Sequence, residues 1–219
     1  MIIVIGGIKG GSGKTTIATN LAVLRAQSGG KVLLVDADEQ KSASDWAQQR
    51  AAIESEDRVL GIVTTVQLSG KGVSSQVLKM AADYNDVIID VGGRDTTSQR
   101  SSLIIADLFL IPFKPRSLDI WTIGSVISMT NEVKAINEKL ACVAFINQAD
   151  ARGADTEDTI EVLKESPDIV CFESSIGYRK AFGNAAAQGL GVVELKDQDK
   201  KASQEIRELY EYVFNMCVV

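Results

Sequence analysis

The segment with the clearest chemistry lies near the amino terminus, directly after the apolar run Ile2–Ile5. It consists of Lys9, Gly10, Gly11, Ser12, Gly13, Lys14, Thr15 and Thr16. Glycines have no Cβ and allow backbone N–H groups to surround an anion, and the start of a helix adds partial positive charge. Lys14 can reach the β- and γ-phosphates of a nucleotide, and the Thr15 hydroxyl can bind Mg²⁺. The segment therefore predicts a site for a nucleoside triphosphate.

A second lysine makes this segment unusual. In the common pattern G-x-x-x-x-G-K-[ST] the first position is glycine, but here it is Ile8, and Lys9 follows it. Lys14 already serves the phosphates of its own subunit, so a cation at the rim of the loop could contact a nucleotide held by another subunit. The alternative is that Lys9 is a mobile surface lysine beside a glycine turn.

Acidic residues close two further apolar runs. The second predicted strand leads into Asp36 and Asp38, and the fourth ends in Asp90. Asp36 could orient an attacking water or hold one bound to magnesium. Asp90 closes its apolar run at a strand end, where an aspartate in P-loop proteins holds the water shell of Mg²⁺. Asp38 points away if its strand continues, and it re-enters the site if the chain turns there. The acidic pair could instead cap the helix predicted over Ser42–Ala51.

Two glycines, Gly92 and Gly93, follow Asp90. They would allow the backbone to approach the γ-phosphate and to move when that group leaves. Arg94, next to them, could act as an arginine finger, or it could pair with Asp95 as an ordinary loop residue. This segment is therefore a second candidate for contact with the phosphates.

Short apolar runs alternate with amphipathic stretches, and these elements must position the candidate residues. The predicted strands are Ile2–Ile5, Val32–Val35, Ile62–Val66, Val87–Asp90, Leu108–Ile111, Cys142–Ile146 and Ile169–Phe172. The predicted helices are Thr15–Ser28, Ser42–Ala51, Ser74–Ala82, Ser117–Lys139, Thr156–Glu165, Tyr178–Gln188 and Ala202–Phe214. Continuous Val, Ile and Leu runs are typical of strands that are buried on both faces. The order predicts an α/β P-loop NTPase fold, a doubly wound and mostly parallel sheet with helices on both faces and ligands at the strand ends.

Composition narrows the function classes. The chain has 219 residues, 45% of them hydrophobic, and its net charge is −6. This length indicates a single domain over residues 1–219. The negative charge excludes a uniformly basic nucleic-acid binder but not a local basic patch. Histidine is absent, so a histidine base or a histidine metal cluster is excluded. The spacing of Cys142, Cys171 and Cys217 favours reduced cytosolic thiols over a zinc or iron–sulfur site. We expect neither a signal peptide nor a membrane span.

The pair Lys9 and Lys14 resembles the signature of the deviant Walker-A ATPases, the ParA/MinD family of partition and positioning proteins. The resemblance implies that ATP and Mg²⁺ bind between the subunits of a homodimer, and that Lys9 of each subunit reaches across to the nucleotide of the other. The segment from Asp36 looks like the family's Asp-x-Asp-Pro-Gln motif, with Glu39 in place of the usual proline. Gly93 matches the position of the family's γ-phosphate glycine.

Two later segments extend the resemblance. The segment from Pro112 to Asp119 resembles the family's Pro-x-x-Pro-Ser-x-x-Asp stretch at the dimer face, although Arg116 departs from the pattern. Asn147 lies where the family carries an asparagine that hydrogen-bonds adenine, because an amide offers both a donor and an acceptor. The alternative for Asn147 is a turn residue that follows a strand.

Together these features imply a small partition ATPase that hydrolyses ATP slowly and is stimulated by a partner. The segment from Ile176 to Gly189 looks like the family's late arginine segment, which in related ATPases belongs to a DNA-binding patch. The residues expected to make sequence-independent, salt-sensitive DNA contacts are Arg179, Lys180, Lys200 and Lys201. Their alternative role is a solvated charged face. The implied partners are nonspecific DNA and a ParB-like or adaptor protein, and the implied location is the cytoplasm, at the nucleoid.

Other interpretations stay open from the sequence. The cargo could be a protein assembly rather than DNA. A MinD-like membrane switch would need a basic amphipathic carboxyl-terminal helix, whereas residues 205–214 are amphipathic but acidic. An iron–sulfur carrier would need paired cysteines at a dimer axis, and none of the cysteines fits. A metabolic P-loop enzyme, such as a dethiobiotin-synthetase-like ligase, shares the fold and is opposed only by Lys9.

Overall fold

The computed structural model describes residues 1–53, 60–115, 120–150, 155–166 and 168–216. Its strands are β1 Ile2–Ile5, β2 Val32–Asp36, β3 Val63–Gln67, β4 Asp86–Asp90, β5 Leu108–Phe113, β6 Ala141–Ala149 and β7 Val170–Gly177. They form one parallel sheet in the order β3-β2-β4-β1-β5-β6-β7. The predicted parallel α/β P-loop architecture is confirmed.

Helices connect successive strands. They are α1 Lys14–Gln27, α2 Ser42–Ala51, α3 Val73–Ala81, α4 Thr97–Leu103, α5 Ile120–Lys134, α6 Asp155–Lys164, α7 Lys180–Ala186 and α8 Lys200–Met216. Short 3₁₀ turns cover Gly70–Gly72 and Val192–Glu194. No helix in the described part of the chain is long and apolar enough to cross a bilayer.

The core lies on both faces of the sheet, because successive side chains of a strand point to opposite sides. In β1, Ile3 and Ile5 pack on the side of α1 and α8, while Val4 packs on the side of α3 and α5. The apolar stripe of α8 is included in this core, with Ile206 and Leu209 fully buried. The apolar face of α8 is therefore covered by the protein itself. Over its described residues, α8 has no exposed apolar stripe with which to bind a membrane as a MinD-like helix would.

Some boundaries differ from the prediction because distant contacts decide them. Helix α5 ends at Lys134 rather than Lys139, since the Asn137 side chain turns inward and donates to the backbone oxygens of Leu103 and Ala106. The predicted start of this helix, Ser117, lies outside the described residues, as do Arg116, Asp119 and Cys217.

Helix α4 is absent from the sequence prediction because its residues are mostly polar. Thr96 caps it by accepting a hydrogen bond from the Gln99 backbone N–H at 3.1 Å. The helix buries polar side chains, Gln99 and Ser102 among them, which removes the apolar periodicity that predicts a helix.

The sheet order brings the candidate site together. Strands β2, β4 and β1 are neighbours, so the segments that follow Asp36, Asp90 and Ile5 leave the same edge of the sheet side by side. Strand β5 lies on the other side of β1, so its continuation also passes the glycine-rich segment. Parallel connections thus place residues from distant parts of the chain around one ligand edge.

Candidate nucleotide-binding site

The glycine-rich segment forms a loop that leads into α1, with Gly13 in the left-handed region at a φ of 84°. Lys14 begins the helix and is only 6% exposed. Its Nζ donates to the backbone oxygen of Lys9 at 3.0 Å. Burial lowers the pKa of the Lys14 ammonium, and the negative charges of Asp90 and Asp38 oppose that shift. The structure therefore holds a desolvated cation inside the loop, where phosphate oxygens would satisfy it.

Thr15 and Asp90 form the next part of the site. The Thr15 hydroxyl donates to Asp90 Oδ2 at 2.7 Å. Asp90 is fully buried, and its Oδ1 has no hydrogen-bond partner among the described residues. Burial raises the pKa of the Asp90 carboxyl to about 7; the hydrogen bond from Thr15 opposes this shift, and the charge of Asp36 adds to it. An unsatisfied buried oxygen of this kind fits a site that a cation completes.

The Asp90 pKa predicts how stability depends on pH without nucleotide or magnesium. The carboxyl titrates near 3.8 when unfolded and at about 7 when folded, so the folded protein holds the extra proton between these values. The free energy of unfolding should therefore fall as pH rises through this interval, by up to roughly 4 kcal/mol from this group. Urea titrations of wild type and Asp90→Asn across the interval test this. The variant should gain stability relative to wild type as pH rises, and parallel curves would contradict the assignment.

The structure corrects the predicted role of Asp36. This carboxylate is fully buried, and its Oδ2 accepts hydrogen bonds from the Ser44 backbone N–H and hydroxyl, both at 2.7 Å. Its Oδ1 accepts from the Asp38 backbone N–H at 3.2 Å. Asp36 therefore holds the turn and the start of α2, as the capping alternative proposed, rather than facing the cleft as a catalytic or metal-binding group.

Asp38 takes the place at the cleft that was predicted for Asp36. Strand β2 ends at Asp36 and the chain turns, so Asp38 re-enters the site. Its Oδ1 lies 3.1 Å from the position that a Cβ on Gly92 would occupy. A side chain at position 92 would displace this carboxylate, so the glycine keeps space for Asp38 beside the loop that follows β4.

Gly93 brings that loop against the glycine-rich segment. A Cβ on Gly93 would lie 2.6 Å from the backbone N and Cα of Gly10 and 2.8 Å from the carbonyl carbon of Lys9. Only glycine allows this approach of two backbones. The predicted γ-phosphate glycine therefore contacts the part of the loop that carries Lys9, whose own side chain is exposed.

Two amides at the end of β6 hold the glycine-rich loop from the other side. Asn147 is buried, and its Nδ2 donates to the Ser12 backbone oxygen at 2.7 Å. Gln148 has a φ of 58°, and its Nε2 donates to the Gly11 backbone oxygen at 3.2 Å. Sequence analysis missed Gln148, although a polar pair after a buried strand on the ligand edge is the signal for it. The contact of Asn147 with adenine stays a prediction.

These segments enclose a main cleft of ≈ 880 Å³. Its walls come from the glycine-rich loop, α2, Asp38 and residues 92–94. A smaller side cavity of ≈ 220 Å³ lies between Gly13, Asn147 and the segment from Ile176 to Gly183. Arg94 lines the main cleft, and its predicted pairing with Asp95 is wrong, because Asp95 pairs with Arg100 at 2.7 Å.

The residues present fit both ATP and Mg²⁺. The loop amides, Lys14 and Thr16 line a cleft large enough for a nucleotide, and Thr15, Asp38 and Asp90 offer the oxygen ligands that magnesium prefers. Within the described ranges no group of three or more His, Cys, Asp or Glu side chains is arranged to hold a metal. Magnesium would therefore be shared between a few protein oxygens and the phosphates, as is usual for this ion.

The predicted DNA patch is partly neutralised within the chain. Arg179 pairs with Glu205, with its Nε donating to Oε2 at 2.9 Å. This ion pair joins the start of α7 to α8. Lys180, at the first residue of α7, is exposed, and so are Lys200 and Lys201 at the start of α8. The lysines therefore lie on neighbouring elements with accessible charge, while Arg179 already has an acidic partner.

Known proteins share this architecture. The chain is 30% identical over 210 residues to the maintenance of carboxysome distribution protein A of Halothiobacillus neapolitanus, with 94% of this chain and 92% of that protein covered. McdA from Cyanothece in an ATP complex superposes with a TM-score of 0.78 at 19% identity, covering 98% of this chain and 96% of that one. MinD in the MinC:MinD complex of Aquifex aeolicus superposes with a TM-score of 0.73 at 19% identity, covering 100% of this chain and 97% of that one.

The family match covers the whole cleft. Residues 3–192 match the family described as the CobQ/CobB/MinD/ParA nucleotide-binding domain. This range contains the glycine-rich loop, the acidic segments at the ends of β2 and β4, and the amide pair at the end of β6. The chain therefore belongs to the CobQ/CobB/MinD/ParA family of nucleotide-binding domains, as its resemblance to ParA and MinD implied.

Proposed function

We propose that this protein is an ATPase that dimerises over ATP and distributes a protein assembly along nucleoid DNA. The observation that carries the proposal is the 30% identity to a carboxysome distribution protein over 94% of this chain. The general P-loop geometry supports nucleotide binding, and this particular similarity favours a protein cargo over plasmid DNA.

The hydrolysis that we propose depends on position and charge, since transfer of a phosphoryl group to water needs little covalent chemistry from the protein. Lys14 would neutralise the phosphates, and the loop amides held by Asn147 and Gln148 would fix their place. Bound magnesium would draw charge from the phosphate oxygens, held through Thr15 and Asp90. Asp38 would orient the attacking water, because it is the carboxylate that faces the cleft beside Gly92.

Dimerisation would complete this site. Lys9 is exposed at the rim and does not line the cleft of its own subunit over the described residues. A second copy would bring its Lys9 to the nucleotide, so assembly and hydrolysis would be coupled and turnover would be slow. A ParB-like or adaptor partner would stimulate this step and connect the dimer to its cargo.

DNA binding by the dimer is expected to require ATP and to weaken steeply with salt, because phosphate contacts release counterions. Replacing Lys180, Lys200 and Lys201 together with alanine should weaken nonspecific DNA binding by at least about tenfold at moderate salt. Filter binding with and without ATP across a salt series measures both effects. The matched control is Lys31→Ala, an exposed lysine before β2 at the opposite edge of the sheet. Equal DNA binding without ATP would contradict the proposal.

The cargo can be identified by capture with ATP-locked protein. We expect a hydrolysis-deficient variant, loaded with ATP, to retain an adaptor together with components of a protein assembly. Wild type loaded with ADP is the control, since it should retain neither. Recovery of a centromere-binding protein and its DNA site instead would assign the protein to DNA partition, the alternative from the same family.

A further inference from the structure

Strand β5 continues past its neighbour β1 and passes the glycine-rich loop. The last residue of β1, Ile5, is paired with Leu110, whereas β5 runs on to Phe113 with only β6 as its paired strand among the described residues. Pro112 lies in this extension, where its missing N–H costs no bond to β1. The proline also fixes the backbone at the point where the chain approaches the loop, which places Lys114 next to it.

The ammonium group of Lys114 lies against the loop. Its Nζ is 3.5 Å from the position that a Cβ on Gly11 would occupy. Lys114 is half-buried, yet it is not among the described residues that line the main cleft, whereas Gly11 is. The cation is thus at the rim of the nucleotide site, outside the wall of its own cleft, as Lys9 is.

The electrostatics of this position favour an anionic ligand. Among the described residues, none forms an ion pair or hydrogen bond with the Lys114 side chain. The loop carbonyls of Gly11 and Ser12 are already taken by the amides of Gln148 and Asn147. A half-buried ammonium with no acidic partner is costly unless an anion approaches.

We propose that Lys114 is a second cross-subunit cation, which contacts the triphosphate held by another copy of this chain alongside Lys9. The inference rests on the proposed ATP-dependent dimer. The triphosphate of the same subunit is the other possible source of negative charge, but Lys114 lies outside the wall of that cleft. With two rim cations per subunit, the stability of the dimer would depend more strongly on the γ-phosphate than with one.

The test separates dimerisation from nucleotide binding. For Lys114→Ala we expect the dimer dissociation constant with a nonhydrolysable ATP analogue to rise at least about tenfold, in analytical ultracentrifugation over a protein dilution series. The affinity of the monomer for the same analogue, measured at protein concentrations below dimerisation, should stay within about twofold of wild type. Lys114→Arg keeps the charge and should retain most of the dimer. Lys31→Ala is the matched control and should behave as wild type.

Each outcome has a distinct meaning. Wild-type dimerisation of Lys114→Ala would overturn the inference, and so would a loss of monomer nucleotide affinity as large as the loss of dimer, because Lys114 would then serve its own cleft. A wild-type protein that stays monomeric with the analogue would instead refute the proposed function. Equal thermal unfolding of Lys114→Ala and wild type without nucleotide confirms that the variant is folded.

Discussion

Asp38→Ala is expected to lower ATP turnover by at least about 100-fold while the ATP-dependent dimer still forms. Asp38 is the cleft carboxylate that lies beside Gly92, in the loop next to the glycine-rich segment, where we expect the attacking water. Its Oδ1 accepts a hydrogen bond from the Gln40 backbone N–H, and its loss should remove orientation of the water while nucleotide binding by Lys14 stays in place. Phosphate release under single-turnover conditions, with dimerisation followed in parallel by light scattering, measures both quantities.

A neighbouring acidic residue provides the control for Asp38. Asp45 also lines the cleft, in the first turn of α2, but its side chain is exposed. Asp45→Ala removes the same charge and should leave turnover within about twofold of wild type. Asp36→Ala should instead lower the free energy of unfolding by about 1–3 kcal/mol, because it leaves the two donors of the half-buried Ser44 unpaired. Unchanged turnover in Asp38→Ala would remove Asp38 from the proposed mechanism.

Lys9→Ala is expected to abolish ATP-dependent dimerisation and hydrolysis while ATP binding by the monomer is largely kept. The Lys9 backbone oxygen holds Lys14, and that contact does not depend on the side chain at position 9. The substitution therefore removes the rim cation and preserves the loop. Light scattering with ATP and equilibrium binding of a fluorescent analogue separate the two effects.

Lys14→Ala gives the opposite pattern and is the natural comparison. It removes the buried ammonium from the phosphate site and should eliminate nucleotide binding itself, with dimerisation lost as a consequence. If Lys9→Ala and wild type dimerise equally with ATP, Lys9 is only a surface lysine, as the alternative from the sequence holds, and the coupling of assembly to hydrolysis fails.

The parts of the site that could be predicted from sequence depend on local patterns. A buried strand, a glycine-rich turn and a helix start with Lys14 and Thr15 are adjacent in the chain, and the apolar run before Asp90 marks a strand end. The choice between Asp36 and Asp38 depends on where β2 stops. The periodicity of apolar residues cannot place the end of a strand to within one residue. That is why the carboxylate facing the cleft was assigned two residues too early, to Asp36 instead of Asp38.

The remaining features depend on contacts between distant residues. Gln148 and Lys114 approach the glycine-rich loop only because β5 lies beside β1 in the sheet and β6 lies beside β5, an order that no local pattern reveals. The ion pair between Arg179 and Glu205, which changes the predicted DNA patch, joins residues on different helices. Helix α4 buries polar side chains whose partners lie elsewhere, so its sequence looks like a loop.

The contact of Gly93 with Lys9 and Gly10 has a kinetic consequence. In the proposed dimer, the Gly93 backbone would sense the terminal phosphoryl group, and the Lys9 segment would present the amine that bridges to a neighbouring molecule. Because these two backbone segments touch without a side chain between them, we expect a shift of one to displace the other. Departure of inorganic phosphate and separation of the two molecules would then be a single event with one rate constant, and that rate would set the lifetime of each attachment.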